Sequence, residues 1–415
     1  MGTFTEMMTT PFEAVSRSSI AFADVNGDSA PDILITGRNS SGTPISKLYT
    51  NDGMGNFTEM TGTPFEGVEG SSIAFADVDG DADQDVLITG DDSEDIISKL
   101  YINDGMGNFT EMPGTSFEGV ENGSVAFADV DGDSDQDVLI TGSKNPPAPV
   151  SILYTNDGMG NFTEMTGTPF EGVSRSSIAF ADVDGDADQD VLITGSGFDN
   201  GFIRVSKLYT NDGTGTFTEV IGTPFEDVGF SSIAFADVDG DSDQDILITG
   251  SNSSVDPVSK LYINDGEGNF SEFTDTPFDD VDNSSIAFAD VDGDSDPDVL
   301  LAGDGAEDLI AKLYINEGVE ASTSEDAKTG GNLSFIVFPN PSTSGILSIS
   351  YDSKEIVEVT ISVYNINGVL LSQQKEKATI GQQVFPVNVE SLSKGNYLME
   401  LDNGKGRGTT KFVIQ

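Results

Sequence analysis

The chain has 415 residues, with 72 Asp and Glu against 18 Lys and Arg, a net charge of −54, and no His, Cys or Trp. The missing residue types exclude disulfides, zinc or copper sites of the usual kind, and Ser-His or Cys-His nucleophiles. The charge argues against nucleic acid and anionic membrane as partners, and no apolar run approaches the roughly 18 residues of a membrane span.

From the N-terminus the elements repeat. Met1-Gly2-Thr3-Phe4 aligns with the internal Met54-Gly55-Asn56-Phe57, so the chain opens inside a hairpin turn, without a signal peptide's basic and apolar regions. Two expectations follow: the first strand closes a ring against the last repeat, or further repeats lie upstream. The string ADVDGDADQDVLITG at Ala76–Gly90 recurs from Ala23, Ala128, Ala181, Ala236 and Ala289, at intervals of 53, 52, 53, 55 and 53 residues. Each unit predicts four short strands: NFTEM, SSIAFA, the continuously apolar DVLIT and the alternating SKLYI, with NDGMGNF as a tight hairpin. Four strands per unit of about 50 residues is the pattern of a propeller blade, and one blade cannot bury its own faces. The fold class is therefore all-β, a propeller of six four-stranded blades over residues 1–318, with more if repeats lie upstream. A nine-residue β-helix repeat is absent.

The loop between the second and third of these strands carries the clearest chemistry. In Asp77-Val78-Asp79-Gly80-Asp81-Ala82-Asp83-Gln84-Asp85, carboxylates fall at positions 1, 3, 5, 7 and 9. The same positions hold Asp129, Asp131, Asp133, Asp135 and Asp137; Asp182, Asp184, Asp186, Asp188 and Asp190; Asp237, Asp239, Asp241, Asp243 and Asp245; and Asp290, Asp292, Asp294, Asp296 and Asp298. The first copy has Asp24, Asn26, Asp28, Ala30 and Asp32. Crowding carboxylates is costly unless a cation sits among them, and an all-oxygen set of flexible geometry favours Ca²⁺, about one per blade. Gly80 at position 4 lets the backbone turn back. Ala30 offers no side-chain ligand, which assigns side chains at 1, 3, 5 and 9 and a backbone carbonyl at 7. No EF-hand is present, since the Glu at position 12 and the flanking helices are missing.

ADVDGDxDxDVLITG followed by LYxNDGxGNFTE resembles the FG-GAP/VCBS repeats of integrin-type β-propellers, and six copies agree in register. The resemblance implies an extracellular propeller whose loops bind calcium. Asp at position 7 in five copies departs from that pattern and leaves open whether this carboxylate also touches the ion.

Charge marks the end of the repeats. Residues 1–318 carry 62 acidic and 10 basic residues, residues 319–331 read as a linker of small polar residues, and residues 332–415 are neutral. About seven short strands follow in the last 84 residues, a small Ig-like sandwich. Its FPNPSTSG, VYNINGVLL, LSKGNYLMEL and terminal KFVIQ segments resemble the C-terminal sorting domain of the Bacteroidetes type IX secretion system. That implies export by this machinery to the outer-membrane surface or the medium, and a signal peptide that this chain does not show.

A catalytic constellation is unique, whereas Glu6, Glu59, Glu111, Glu164, Glu219 and Glu272 are equivalents, as are Lys47, Lys99, Lys207, Lys260 and Lys312. No catalytic residue is expected among them. Function belongs where blades differ, in the loop after LITG, whose fourth copy is longest and offers Phe198, Phe202 and Arg204 as a binding hot spot. The expected function is a secreted, calcium-binding adhesion module for a protein or carbohydrate ligand. The alternative is an accessory or spacer part of a larger secreted enzyme.

Overall fold

The computed structural model describes residues 10–197, 203–291, 296–306, 308–316, 335–338, 346–354, 356–365, 369–389, 392 and 394–414. It divides into two units, Met1–Gly318 and Val319–Gln415. Among the described residues every helix or strand is a strand.

In the first unit each repeat builds an antiparallel meander. The first consists of β1 (Val15–Ala23), β2 (Asp32–Asn39), β3 (Pro44–Asn51) and β4 (Phe57–Glu59), hydrogen-bonded in that order. The same sheet recurs over residues 69–111, 125–164, 174–219 and 229–273, and residues 282–314 form a three-stranded one. Turn chemistry decides which strand joins which blade. NDGMGNF folds through left-handed Gly105 and Gly107, so that Phe109–Glu111 pairs with the strand before it. FTE is thus the outer strand of the preceding blade, not the first strand of its own, and the frame expected from the sequence shifts by one strand. Five sheets have four strands, and the sixth has three among the described residues. Phe4-Thr5-Glu6, the copy expected to close the ring, lies outside those residues.

Five of the six inner strands carry a bulge opposite the glycine that ends the LITG-type run, as between Glu69 and Ser72 opposite Gly90; that of the third blade, Val125–Ala128, does not. Gly70 at the bulge and Gly90 across from it both have positive φ, and a Cβ on Gly90 would collide with the Glu69 carbonyl. Between blades, Phe65 sets its ring edge-on to Tyr101 at 5.0 Å, and the buried tyrosine hydroxyl accepts the Glu66 N–H. Phe117, Phe170 and Phe225 do the same with Tyr154, Tyr209 and Tyr262. Serines of the preceding blade (Ser46, Ser98, Ser151, Ser206) donate to the carbonyls of Glu66, Glu118, Glu171 and Glu226, so this segment ties the blade that follows it to the one before.

Burial follows the stacking. Val86, Leu87 and Ile88 are fully buried, as a continuous apolar run requires, and so are both Leu100 and Tyr101 of the alternating strand. Alternation there marks two different packed faces and no solvent side. One face of the second blade (Ile73, Val86, Ile88, Tyr101) packs on Val25, Leu34 and Leu48 of the first blade and its neighbouring loop. The same pairing recurs at four further interfaces.

The two ends of the array differ. Ile20 and Phe22 of the first blade are 57% and 62% exposed, where the equivalent Ile73 is 8%. Leu300 and Leu313 of the sixth are 49% and 39% exposed, where Leu34, Leu48, Leu139 and Leu153 are 0%. These are the two halves of one blade interface, each exposed, so among the described residues six blades share five interfaces. Leu139→Ala should therefore cost about 2–5 kcal/mol, and Leu300→Ala, at the same repeat position, under about 1 kcal/mol. Equal losses in chemical denaturation would mean that the end faces meet and the ring closes.

Among the described residues the second unit is a sandwich of seven strands, as the spacing predicts. Residues 335–338, 346–353 and 381–388 form one sheet, and residues 357–365, 370–378, 395–402 and 407–414 the other. Both contribute to one core around Leu347, Ile349, Val359, Ile361, Met399, Leu401 and Phe412. Most of the FPNPSTSG segment, residues 339–345, lies outside the described residues.

Candidate metal centre

The acidic loops join the inner strand of each blade to the second. In the second blade Asp77 at position 1 organises the turn: its Oδ1 accepts the Gly80 N–H at 2.8 Å and its Oδ2 the Ala82 N–H at 2.9 Å. Gly80 and Ala82 both have left-handed backbones, with φ of 80° and 72°, forming a nest of N–H groups around the carboxylate. Ser29, Ser134, Ala187 and Ser242 hold the same conformation. For a residue with a Cβ this costs on the order of 1 kcal/mol, and no glycine announces it in the sequence.

Position 9 closes the loop. Asp85 is fully buried, and its two oxygens accept the Val78 N–H at 3.1 Å and the Asn103 N–H at 2.8 Å. One carboxylate oxygen from each of Asp77, Asp79 and Asp85 lies within 4.8 Å of the others. Asp129, Asp131 and Asp137, then Asp182, Asp184 and Asp190, then Asp237, Asp239 and Asp245 form the same group. These groups can hold a metal ion. At position 3, Oδ1 of Asp79, Asp131 and Asp184 is buried without a hydrogen-bond partner, the condition a cation relieves.

Positions 5 and 7 fall outside these groups. Asp81 Oδ1 accepts the Asp83 N–H at 3.0 Å, an arrangement repeated by Asp133 with Asp135, Asp186 with Asp188, and Asp241 with Asp243. The Asp83 carboxylate lies against Gly105 of the hairpin, where a Cβ would collide with it. The nine-residue spacing thus delivers positions 1, 3 and 9 to one point and sends the position-7 side chain to the turn beside it.

The first loop keeps the frame with fewer charges. Asp24 accepts the Gly27 and Ser29 N–H groups, Asp28 accepts that of Ala30, and Asn26 stands at position 3. In the sixth loop Asp298 accepts the Val291 and Asn316 N–H groups, while Asp292 and Asp294 lie outside the described residues.

Electrostatics single out position 9. Burial pushes Asp85 up to about 7, and Asp137, Asp190 and Asp245 up to about 6. Burial, then the neighbouring Asp81, also raises Asp79. Hairpin carboxylates behave oppositely: Asp104 is lowered by its bonds from the Asn108 amide and the Met106 N–H. Its charge is satisfied within its own turn.

The recurring lysines and glutamates are partners of one another. Lys99 bonds Glu66 at 2.7 Å and Glu111 at 3.3 Å, and Lys47, Lys207 and Lys260 span equivalent pairs. In the third blade Ile152 takes the lysine position, and Lys144 at the end of the adjacent strand reaches Glu118 instead. Arg204 corrects an expectation. It is 8% exposed, with Nη1 donating to Ser251 Oγ at 2.8 Å, and so is a buried packing residue and not an exposed hot spot. Phe198 and Phe202 lie outside the described residues.

Residues 24–88, 77–140, 129–193, 196–248 and 237–301 match the FG-GAP-like repeat, and residues 336–415 match the secretion system C-terminal sorting domain. No curated protein matches the chain. Among solved structures, AofleA from Arthrobotrys oligospora is similar at 11% identity and a TM-score of 0.42, over 92% of each chain. A mutant Aleuria aurantia lectin in complex with alpha-methyl-L-fucoside is similar at 11% and 0.41, over 76% of this chain and 99% of that one. The Bombyx mori GH32 beta-fructofuranosidase BmSUC1 is similar at 11% and 0.30, over 94% and 86%. No ligand or reaction is carried over from proteins this distant. The sorting domain assigns the chain to export, outside the cell or at its surface. Because the repeats span well over half of its length, the chain belongs to the FG-GAP-like repeat family.

Proposed function

We propose that residues 1–318 form a secreted, calcium-stabilised, non-enzymatic propeller that binds a protein or glycan ligand in adhesion, and that residues 332–415 serve as its address to the type IX secretion machinery. The observation that carries the calcium reading is the buried, unpartnered Oδ1 of position 3 beside two further carboxylates, in register in successive loops. Side chains at positions 1, 3 and 9 would hold the ion, with positions 5 and 7 completing an oxygen set. Bound calcium supplies positive charge that offsets carboxylate crowding and fixes the loop.

The non-enzymatic reading is supported by the repeated Lys and Glu side chains, which are occupied with one another. Ligand contacts then belong to the divergent loops after LITG. Glycan-array and cell-adhesion assays of the purified protein should give calcium-dependent binding that is lost in EDTA. Absence of any bound glycan or protein would favour a spacer instead.

The address has its own test. Deleting residues 319–415 should abolish surface delivery in a host with type IX secretion, while calcium-dependent melting of the remaining propeller stays within a few degrees of that in the full chain. Loss of propeller folding on deletion would overturn the division of roles.

A further inference from the structure

The candidate calcium loops are tied to one another by a single residue type. Asn103 opens the NDG hairpin of the second blade. Its backbone N–H donates to Asp85 Oδ1 of its own loop, and its side-chain amide donates to the Gln84 carbonyl of that loop at 3.3 Å. The same amide donates at 2.8 Å to the carbonyl of Val25, position 2 of the preceding blade's loop. Asn156 repeats this with Asp137 and the Val78 carbonyl, Asn211 with Asp190 and Val130, and Asn264 with Asp245 and Val183. Asn316 joins Asp298 to the Val238 carbonyl.

The position of this contact matters. The clasped carbonyl belongs to position 2, one peptide before the position-3 ligand, and the same valine donates its N–H to the position-9 carboxylate. Val25, Val78, Val130 and Val183 are 1% exposed and packed in the interface with the next blade, so this peptide cannot swing freely. The four asparagines from Asn103 to Asn264 are themselves 3–6% exposed. Asn51 is the exception among the described residues: its amide donates to the Pro31 carbonyl of its own blade.

We infer that the calcium loops act as one coupled series, with Asn103, Asn156, Asn211, Asn264 and Asn316 as positioning residues that make each site depend on its neighbour. The inference rests on the calcium reading above. Ordering position 3 in one loop orders the asparagine that holds position 9 of the next, so filling one site favours the adjacent one. Coupling carried through such a contact is typically about five- to hundredfold in affinity.

Calcium titration of the full chain by calorimetry tests this directly. The wild type should bind more steeply than independent sites allow, Asn156→Ala should split the isotherm into two phases, and Asn51→Ala should leave its steepness unchanged. Asp79→Ala, which disables the second loop alone, should in hydrogen exchange at fixed calcium also lower protection of residues 129–137 in the third. That measurement stands even if Asn156→Ala fails to fold. Independent binding in the wild type, or unchanged protection of residues 129–137 beside a disabled second loop, would overturn the coupling. Absence of any calcium binding to the wild type would instead overturn the reading on which it rests.

Discussion

Adding 5 mM calcium should raise the melting temperature of the protein sharply, and EDTA should remove the gain. Extracellular calcium modules bind at about 10⁻⁴–10⁻³ M, so this concentration exceeds the dissociation constant roughly tenfold. By mass action each such site then stabilises the native state by about 1.4 kcal/mol. The four groups with three converging carboxylates would together contribute about 6 kcal/mol, a large share of the net stability of an ordinary domain. The first loop, with Asn26 in place of a carboxylate and Ala30 at position 7, should fill last as calcium is raised. An unchanged melting temperature in EDTA would remove the metal assignment.

The calcium increment should also depend on pH, growing between pH 5 and 8. Without metal, a carboxylate raised by burial stabilises the fold only while protonated. That contribution is complete below the unfolded value of about 3.9 and is lost as pH rises through the folded value. For Asp85 the loss is centred at about 7, and for Asp137, Asp190 and Asp245 at about 6. Calcium needs the ionised form, so protons compete with it from the same window downward. At pH 5 a group of pKa about 6 would weaken its site about tenfold, and one of about 7 about a hundredfold. Melting curves with and without calcium should nearly meet at pH 5 and separate by pH 8. A gap that stays constant would mean that position 9 does not titrate with the metal.

Much of this was legible in the sequence because the information is periodic. Six copies in register disclose the blade, the loop and its carboxylates, and the fall in charge after residue 318 discloses the second unit. The frame of the blade was not legible, since NFTEM sits next to either neighbouring strand and only the left-handed glycines of the hairpin decide for the earlier one. The division of the acidic loop was hidden for a related reason. Carboxylates at every second position look equivalent until the nest formed by Gly80 and Ala82 turns positions 1, 3 and 9 together. Arg204 misled because its place beside a variable loop says nothing of the Ser251 contact supplied by another blade. Asn103 and its equivalents read only as turn residues, because their reach into the preceding blade spans 78 to 81 positions of chain.

An array in which every inner blade has two neighbours and each end blade one has no single melting point of its parts. Stability in such an array is close to a sum of unit and nearest-neighbour terms, so, among the described residues, the blade bearing Ile20 and Phe22 and the blade bearing Leu300 and Leu313 each lack one such term. Opening begins at these termini and moves inward, exposing backbone there long before the middle blades yield. Limited proteolysis would thus pare the protein from its two edges toward a resistant centre built on residues 125–219.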